Sequence, residues 1–119
     1  MGEPLFVACL CAQWCSVCRQ WRAPFDALAA QFPAASFLWV DVEDCAAVLG
    51  DYEPENFPVL AVQRGARLLY CATLPQQPAV WQRLIAELAA LDAASAQQYA
   101  TRLAQGGAAL PDLRRVAAV

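Results

Sequence analysis

The chain has 119 residues, 60% of them apolar, and a formal net charge of −3. That is the length of one domain with enough apolar material to bury a core unaided, so a disordered chain is excluded. The net negative charge argues against a basic nucleic-acid surface. Because all eight basic residues are Arg and His is absent, imidazole-based catalysis, His-built zinc motifs, lysine Schiff bases and phosphate loops are removed as well.

The first apolar run, Leu5 to Ala12, suits a strand buried on both faces and is far too short to cross a bilayer, so no membrane partner is expected. The Met1-Gly2-Glu3-Pro4 start lacks the positive charge of a signal peptide, and Phe6 stands where a myristoylation signal wants Ser or Thr; a soluble cytoplasmic protein is expected. A polar turn with Cys15 and Cys18 follows. From Ser16 to about Phe32, Val17, Trp21, Phe25, Leu28 and Phe32 recur at helical steps, with Pro24 inside the pattern as an expected kink. Ser36 to Val42 reads as a second strand, and Asp44 or Cys45 to about Asp51 as a short helix, with Glu43 and Asp44 at its positive end. Pro54 to Phe57 is a loop. Val59–Gln63 and Leu68–Ala72 read as strands joined by the turn Arg64-Gly65-Ala66-Arg67. Pro78 opens an amphipathic helix with Val80, Leu84, Leu88 and Leu91 on one stripe. Asp92 caps a further helix through Tyr99 and Leu103, stopped by Gly106-Gly107, and Pro111 opens a last turn holding Leu113 and Val116. The order predicts an α/β domain on a mixed sheet.

Six cysteines stand at positions 9, 11, 15, 18, 45 and 71. Their uneven spacing and the ample core weigh against a secreted disulfide framework and favour redox or metal chemistry. In Trp14-Cys15-Ser16-Val17-Cys18 the pair falls where a strand ends and a helix begins. Free N–H groups and the positive end of the helix dipole there favour a thiolate at Cys15, and Cys18 follows one turn later. Cys15 is thus the expected attacker of a disulfide and Cys18 the resolver of the mixed disulfide.

Over about residues 4–91 the sequence resembles the thioredoxin family. Ala12-Gln13-Trp14-Cys15-Ser16-Val17-Cys18-Arg19 is similar to that family's active-site stretch, Asp41-Val42-Glu43 to the end of its next strand, and Phe57-Pro58-Val59-Leu60 with Arg64-Gly65 to its proline loop. The resemblance implies a thioredoxin-like fold: a four-stranded mixed sheet flanked by helices, without the family's first strand and helix, plus a helical tail. It divides the chain into a thioredoxin-like domain at 1–91 and an extension at 92–119 packed on it. It also implies a cis bond between Phe57 and Pro58, with Trp14, Phe57 and Pro58 as the substrate-binding residues beside catalytic Cys15 and Cys18. The implied activity is reduction of protein disulfides without a cofactor or bound metal, and the implied partners are disulfide-containing proteins and a recycling reductase.

Departures from the family pattern carry their own expectations. Cys9 and Trp39 stand where a buried Asp and its Lys are usual, so two compensating charges are lost together. Ser16-Val17 lacks the His of oxidising relatives, which implies a reducing protein. The 36–42 strand should form a bare sheet edge, covered by the tail or paired with a second chain in a homodimer. Cys9, Cys11 and Cys71 are expected to be buried, inert thiols, with Cys45 the better candidate for an extra reactive one. Trp21, Trp39 and Trp81 are expected in the core, and Glu43, Asp44, Asp51, Glu53 and Glu55 on a solvated face. The alternative is a non-catalytic module, a co-chaperone or a metal or iron–sulfur carrier with cysteines 9, 11, 15 and 18 as ligands.

Overall fold

The computed structural model describes residues 3–50, 52–106 and 110–117; the start of the chain at Met1-Gly2, Asp51 and Gly107 lie outside that range. At its centre is β1 (Leu5–Cys11), whose last five residues are all buried. β1 pairs in parallel with β2 (Ala35–Asp41) and antiparallel with β3 (Val59–Arg64), and β3 pairs antiparallel with β4 (Arg67–Thr73). The sheet is therefore mixed, in the order β2-β1-β3-β4.

Strand alternation sorts side chains onto two faces. Val7, Cys9 and Cys11 of β1 enter one core with Trp21, Phe25 and Leu28 of α1 (Ser16–Ala29) and Trp81, Ile85 and Leu88 of α3 (Pro78–Ala89). Ala8 and Leu10 enter the other with Leu49 of α2 (Ala46–Leu49) and Leu113 and Val116 of α5 (Leu113–Ala117). α4 (Ala93–Gln105) packs on β4 and adds Ala96, Tyr99 and Ala100 to the first core. A register shift at Val62/Gln63 places one extra residue, Leu69, in β4, so the alternation of that strand slips by one.

Several expectations change in detail. α1 runs through Pro24 and ends at Ala29, leaving Phe32 in a turn whose N–H bonds Ala29 O at 3.1 Å. α2 is a single turn rather than a helix to Asp51. Arg64 and Arg67 pair with each other, so the hairpin turn narrows to Gly65-Ala66, with Gly65 at φ +58, a value that glycine adopts without strain. On α3 the buried stripe is Trp81, Ile85 and Leu88, whereas Val80 is 38% exposed. The helix begins at Pro78, which turns Val80 outward and brings in the larger Trp81. Asp92 caps α4 as expected, accepting from Ser95 N at 2.7 Å.

The tail does not cover the β2 edge. α4 lies beside β4 at the opposite side of the sheet, and α5 reaches β1 and α2. Its anchor is Gln63, buried in β3. The Gln63 amide nitrogen donates to Gly65 O (2.8 Å) and Asp112 Oδ1 (2.6 Å), and its oxygen accepts from Leu113 N (2.7 Å). Gln63→Leu removes all three bonds and leaves the Leu113 N–H without a partner in the core. We expect a loss of about 2 kcal/mol in urea unfolding, with early hydrogen exchange in α5.

Candidate active site

Cys15 is the residue before α1, in an extended conformation with φ −86 and ψ 121, and its sulfur makes no capping hydrogen bond. Its thiol is free and half-exposed. Its N–H donates to Ala12 O at 3.0 Å, closing the turn between β1 and α1. Trp14 beside it is 63% exposed and meets Phe57 edge to face, ring centres 5.9 Å apart. The Phe57–Pro58 bond is cis, as the resemblance implied. Trp14 and Phe57 thus form an apolar platform next to the free sulfur.

Cys18 lies one turn into α1, but its sulfur is bonded to Cys11, with Cα atoms 5.6 Å apart, and not to Cys15. Cys11 is therefore no inert thiol. As the last residue of β1, on the face that α1 covers, it reaches the helix's first turn. Both partners are 1% exposed. This bond also takes up two of the four sulfurs that a metal site at positions 9, 11, 15 and 18 would need, and among the described residues no group of three or more metal-ligating side chains assembles.

The missing charges are replaced as a unit. Cys9 and Trp39 are direct register partners across β1 and β2. Burial pushes the Cys9 thiol far up from its ordinary value, with Arg22 pulling weakly the other way. The Arg22 guanidinium stacks on the Trp39 ring, 4.8 Å from its centre, so the charge that reaches this spot comes from α1 and sits on an aromatic face. Trp39 is half-buried, while Trp21 and Trp81 are fully in the core. Cys9 supplies no base for Cys18; the polar neighbour of that sulfur is the Ala12 N–H, which donates to it at 3.4 Å.

Asp41 is a positioning residue whose local sequence marks it only as part of a family-like stretch. Its carboxylate accepts from Gln13 N (3.0 Å), Glu43 N (2.9 Å) and Asp44 N (3.1 Å), while Arg19 donates to Gln13 O (3.0 Å). The turn carrying Trp14 is thereby held at both its N–H and its carbonyl. The available signal was an Asp at a strand end followed by a turn. Beyond it opens a cleft of about 530 Å³ bordered by Cys18, Arg22, Trp39, Asp41 and Cys45. Burial, then Asp44 and Asp41, push the Cys45 thiol upward, which counts against the extra reactive thiol expected there. Cys71 belongs to the second core, its sulfur 3.3 Å from the Tyr52 hydroxyl. Glu43, Asp44, Glu53 and Glu55 are exposed, a solvated face as expected.

The fold is thioredoxin-like, a four-stranded mixed sheet flanked by helices. No family model matches the chain. Over 57 residues, 48% of its length, it is 35% identical to thioredoxin of Equus caballus and 37% identical to thioredoxin domain-containing protein 2 of Rattus norvegicus. The match spans about half of the first relative (54%) and 10% of the second. Among solved structures, the thioredoxin Deadhead of Drosophila melanogaster superposes with a TM-score of 0.64 over 72% of this chain and 82% of that one, at 22% identity. A mutant thioredoxin of Halobacterium salinarum gives 0.65 over 76% and 79%, at 21% identity. The fold is that of thioredoxin.

Proposed function

We propose that the protein is a protein-disulfide oxidoreductase working as a reductase through Cys15 and Cys18, with Trp14, Phe57 and Pro58 receiving the substrate. The observation that carries this reading is a free, half-exposed Cys15 at the start of α1 with a second cysteine one turn behind it. In the reduced chain, the Cys15 sulfur attacks a substrate disulfide, one substrate sulfur leaves as thiolate, and a mixed disulfide forms. Cys18 then attacks the Cys15 sulfur and releases the second substrate thiol, leaving the protein oxidised. The Ala12 N–H lies where negative charge develops on Cys18. The exposed Trp14–Phe57 platform offers apolar contact for a polypeptide beside the attacked bond.

Under this reading residues 1–91 form the redox unit and 92–119 an extension braced on it. The partners are disulfide-containing proteins and a recycling reductase in the cytoplasm, in the service of cell redox homeostasis, and a second copy would pair along the open β2 edge. No helix among the described residues is long and apolar enough to cross a membrane. The test is reduction of insulin disulfides with dithiothreitol as electron source: the protein should accelerate precipitation of the freed chains well beyond reductant alone. No acceleration by the fully reduced protein overturns the reading.

A further inference from the structure

The site contains three cysteines that matter, not two. Cys18 stands between Cys15, three residues earlier in the chain, and Cys11, at the end of the strand beneath. One sulfur carries one disulfide, so a Cys15–Cys18 bond and the observed Cys11–Cys18 bond exclude each other. The pairing in the structure leaves the exposed cysteine free and hides the oxidised pair, each member 1% exposed.

Resting on the proposed reductase cycle, we propose that Cys11 is a second, internal resolving cysteine that moves the disulfide from the surface into the core. After turnover the chain holds a Cys15–Cys18 disulfide. The Cys11 sulfur, as thiolate, attacks the Cys18 sulfur. The Cys11–Cys18 bond forms, the Cys15–Cys18 bond breaks, and Cys15 leaves with the electron pair, taking up the proton that Cys11 gave away. The exchange is an isomerisation, so it needs no oxidant and no reductant.

Burial decides both its direction and its speed. In the first isomer the leftover thiol is Cys11 in the core; in the second it is Cys15, half in water, where a leaving thiolate is hydrated. The attacking sulfur of Cys11 is in the core, where a thiolate is disfavoured, so this step lags behind ordinary resolution by Cys18. When reductant is plentiful the Cys15–Cys18 bond is reduced before it moves. When reductant runs short the bond migrates, and the protein becomes an oxidised chain with a free surface thiol. In that state Cys15 still attacks disulfides, but Cys18 is occupied, and the mixed disulfide persists until the buried bond is opened. Cys11 thus converts a dithiol reductase into a single-thiol trap for disulfide-bearing proteins and small disulfides under oxidising conditions.

The test uses the full chain oxidised with one equivalent of diamide, held for increasing times, alkylated with iodoacetamide and digested with chymotrypsin. Cleavage after Leu10 and Trp14 separates Cys11 from Cys15 and Cys18. The expected result is a time-dependent rise of a cross-linked pair of peptides joining Cys11 to Cys18, with alkyl label on Cys15. In oxidised Cys11→Val, Cys15 should take up label about tenfold less, because its bond to Cys18 has nowhere to go. The wild-type digest reads the pairing without any variant, so poor folding of Cys11→Val does not blunt the test. A stable Cys15–Cys18 bond in wild type, with Cys11 labelled only after unfolding, overturns the inference and leaves the reductase reading standing. A wild type without insulin-reducing activity sinks that reading instead, whatever the digest shows.

Discussion

Cys15→Ser should lower kcat/KM for disulfide reduction by about a thousandfold or more, because a hydroxyl does not replace a thiolate as the attacking group. The expectation is sharp because the other cysteines are poor substitutes. Cys9 is fully buried with its thiol pushed far up, and Cys11 and Cys18 are each 1% exposed, out of reach of a protein disulfide. Cys45 and Cys71 are held toward the thiol form, chiefly by burial. The variant should keep its fold, since the Cys15 sulfur caps nothing and the Cys11–Cys18 bond does not involve it. Unchanged unfolding in urea together with lost turnover therefore assigns the effect to chemistry. The companion Cys18→Ser should behave differently: it attacks normally but stalls, accumulating a mixed disulfide between Cys15 and the substrate that is visible by mass. Turnover in Cys15→Ser within about tenfold of wild type would show that the nucleophile lies elsewhere.

Much of this was legible in the chain before folding. Five apolar or β-branched residues in a row make β1 a two-face strand, and the step of three to four residues from Val17 to Leu28 makes α1. Those two elements alone bring Cys15 to a helix start. The partner of Cys18 was not legible, and the reason is physical. Strand alternation places Cys9 and Cys11 on one face, but which of them meets a helical cysteine depends on how far the turn Ala12–Cys15 carries the helix back over the strand. That distance is set by long-range bonds, Gln13 N to Asp41 and Arg19 to Gln13 O, and no local pattern encodes it. The same holds for the tail. Ala-rich periodicity marks α4 as a helix, yet its seat on β4 and the seat of α5 follow from Gln63, a polar residue in an apolar strand whose amide reaches Asp112 and Leu113, fifty positions on in the chain at the farthest. The expected stripe of α3 holds at Leu88 but shifts by one position from Val80 and Leu84 to Trp81 and Ile85. Helical periodicity gives spacing but not phase when apolar residues crowd both faces; burial of the larger indole of Trp81 sets the phase.

That choice of phase makes Trp81 the strongest test of the core. Its side chain is fully buried, its ring centre lies 4.9 Å from that of Trp21 and 6.1 Å from that of Phe25, and its Nε1 donates to Pro75 O at 2.8 Å. Trp81→Ala removes the indole from between α1, α3 and the sheet and should cost about 4 kcal/mol, a large share of the roughly 5–15 kcal/mol that holds a domain together. Trp81→Phe keeps most of the volume but loses the bond to Pro75 and should cost about 2 kcal/mol. Trp21→Phe is the internal control. The Trp21 Nε1 is buried with no partner among the described residues, so its loss forfeits packing without forfeiting a hydrogen bond, and the cost should fall below that of Trp81→Phe by about 1 kcal/mol. Urea unfolding followed by circular dichroism ranks the three. Should Trp81→Ala cost less than about 2 kcal/mol, the indole does not fill the space between the helices, and the packing that seats α1 with Cys15 and Cys18 over β1 rests on other residues.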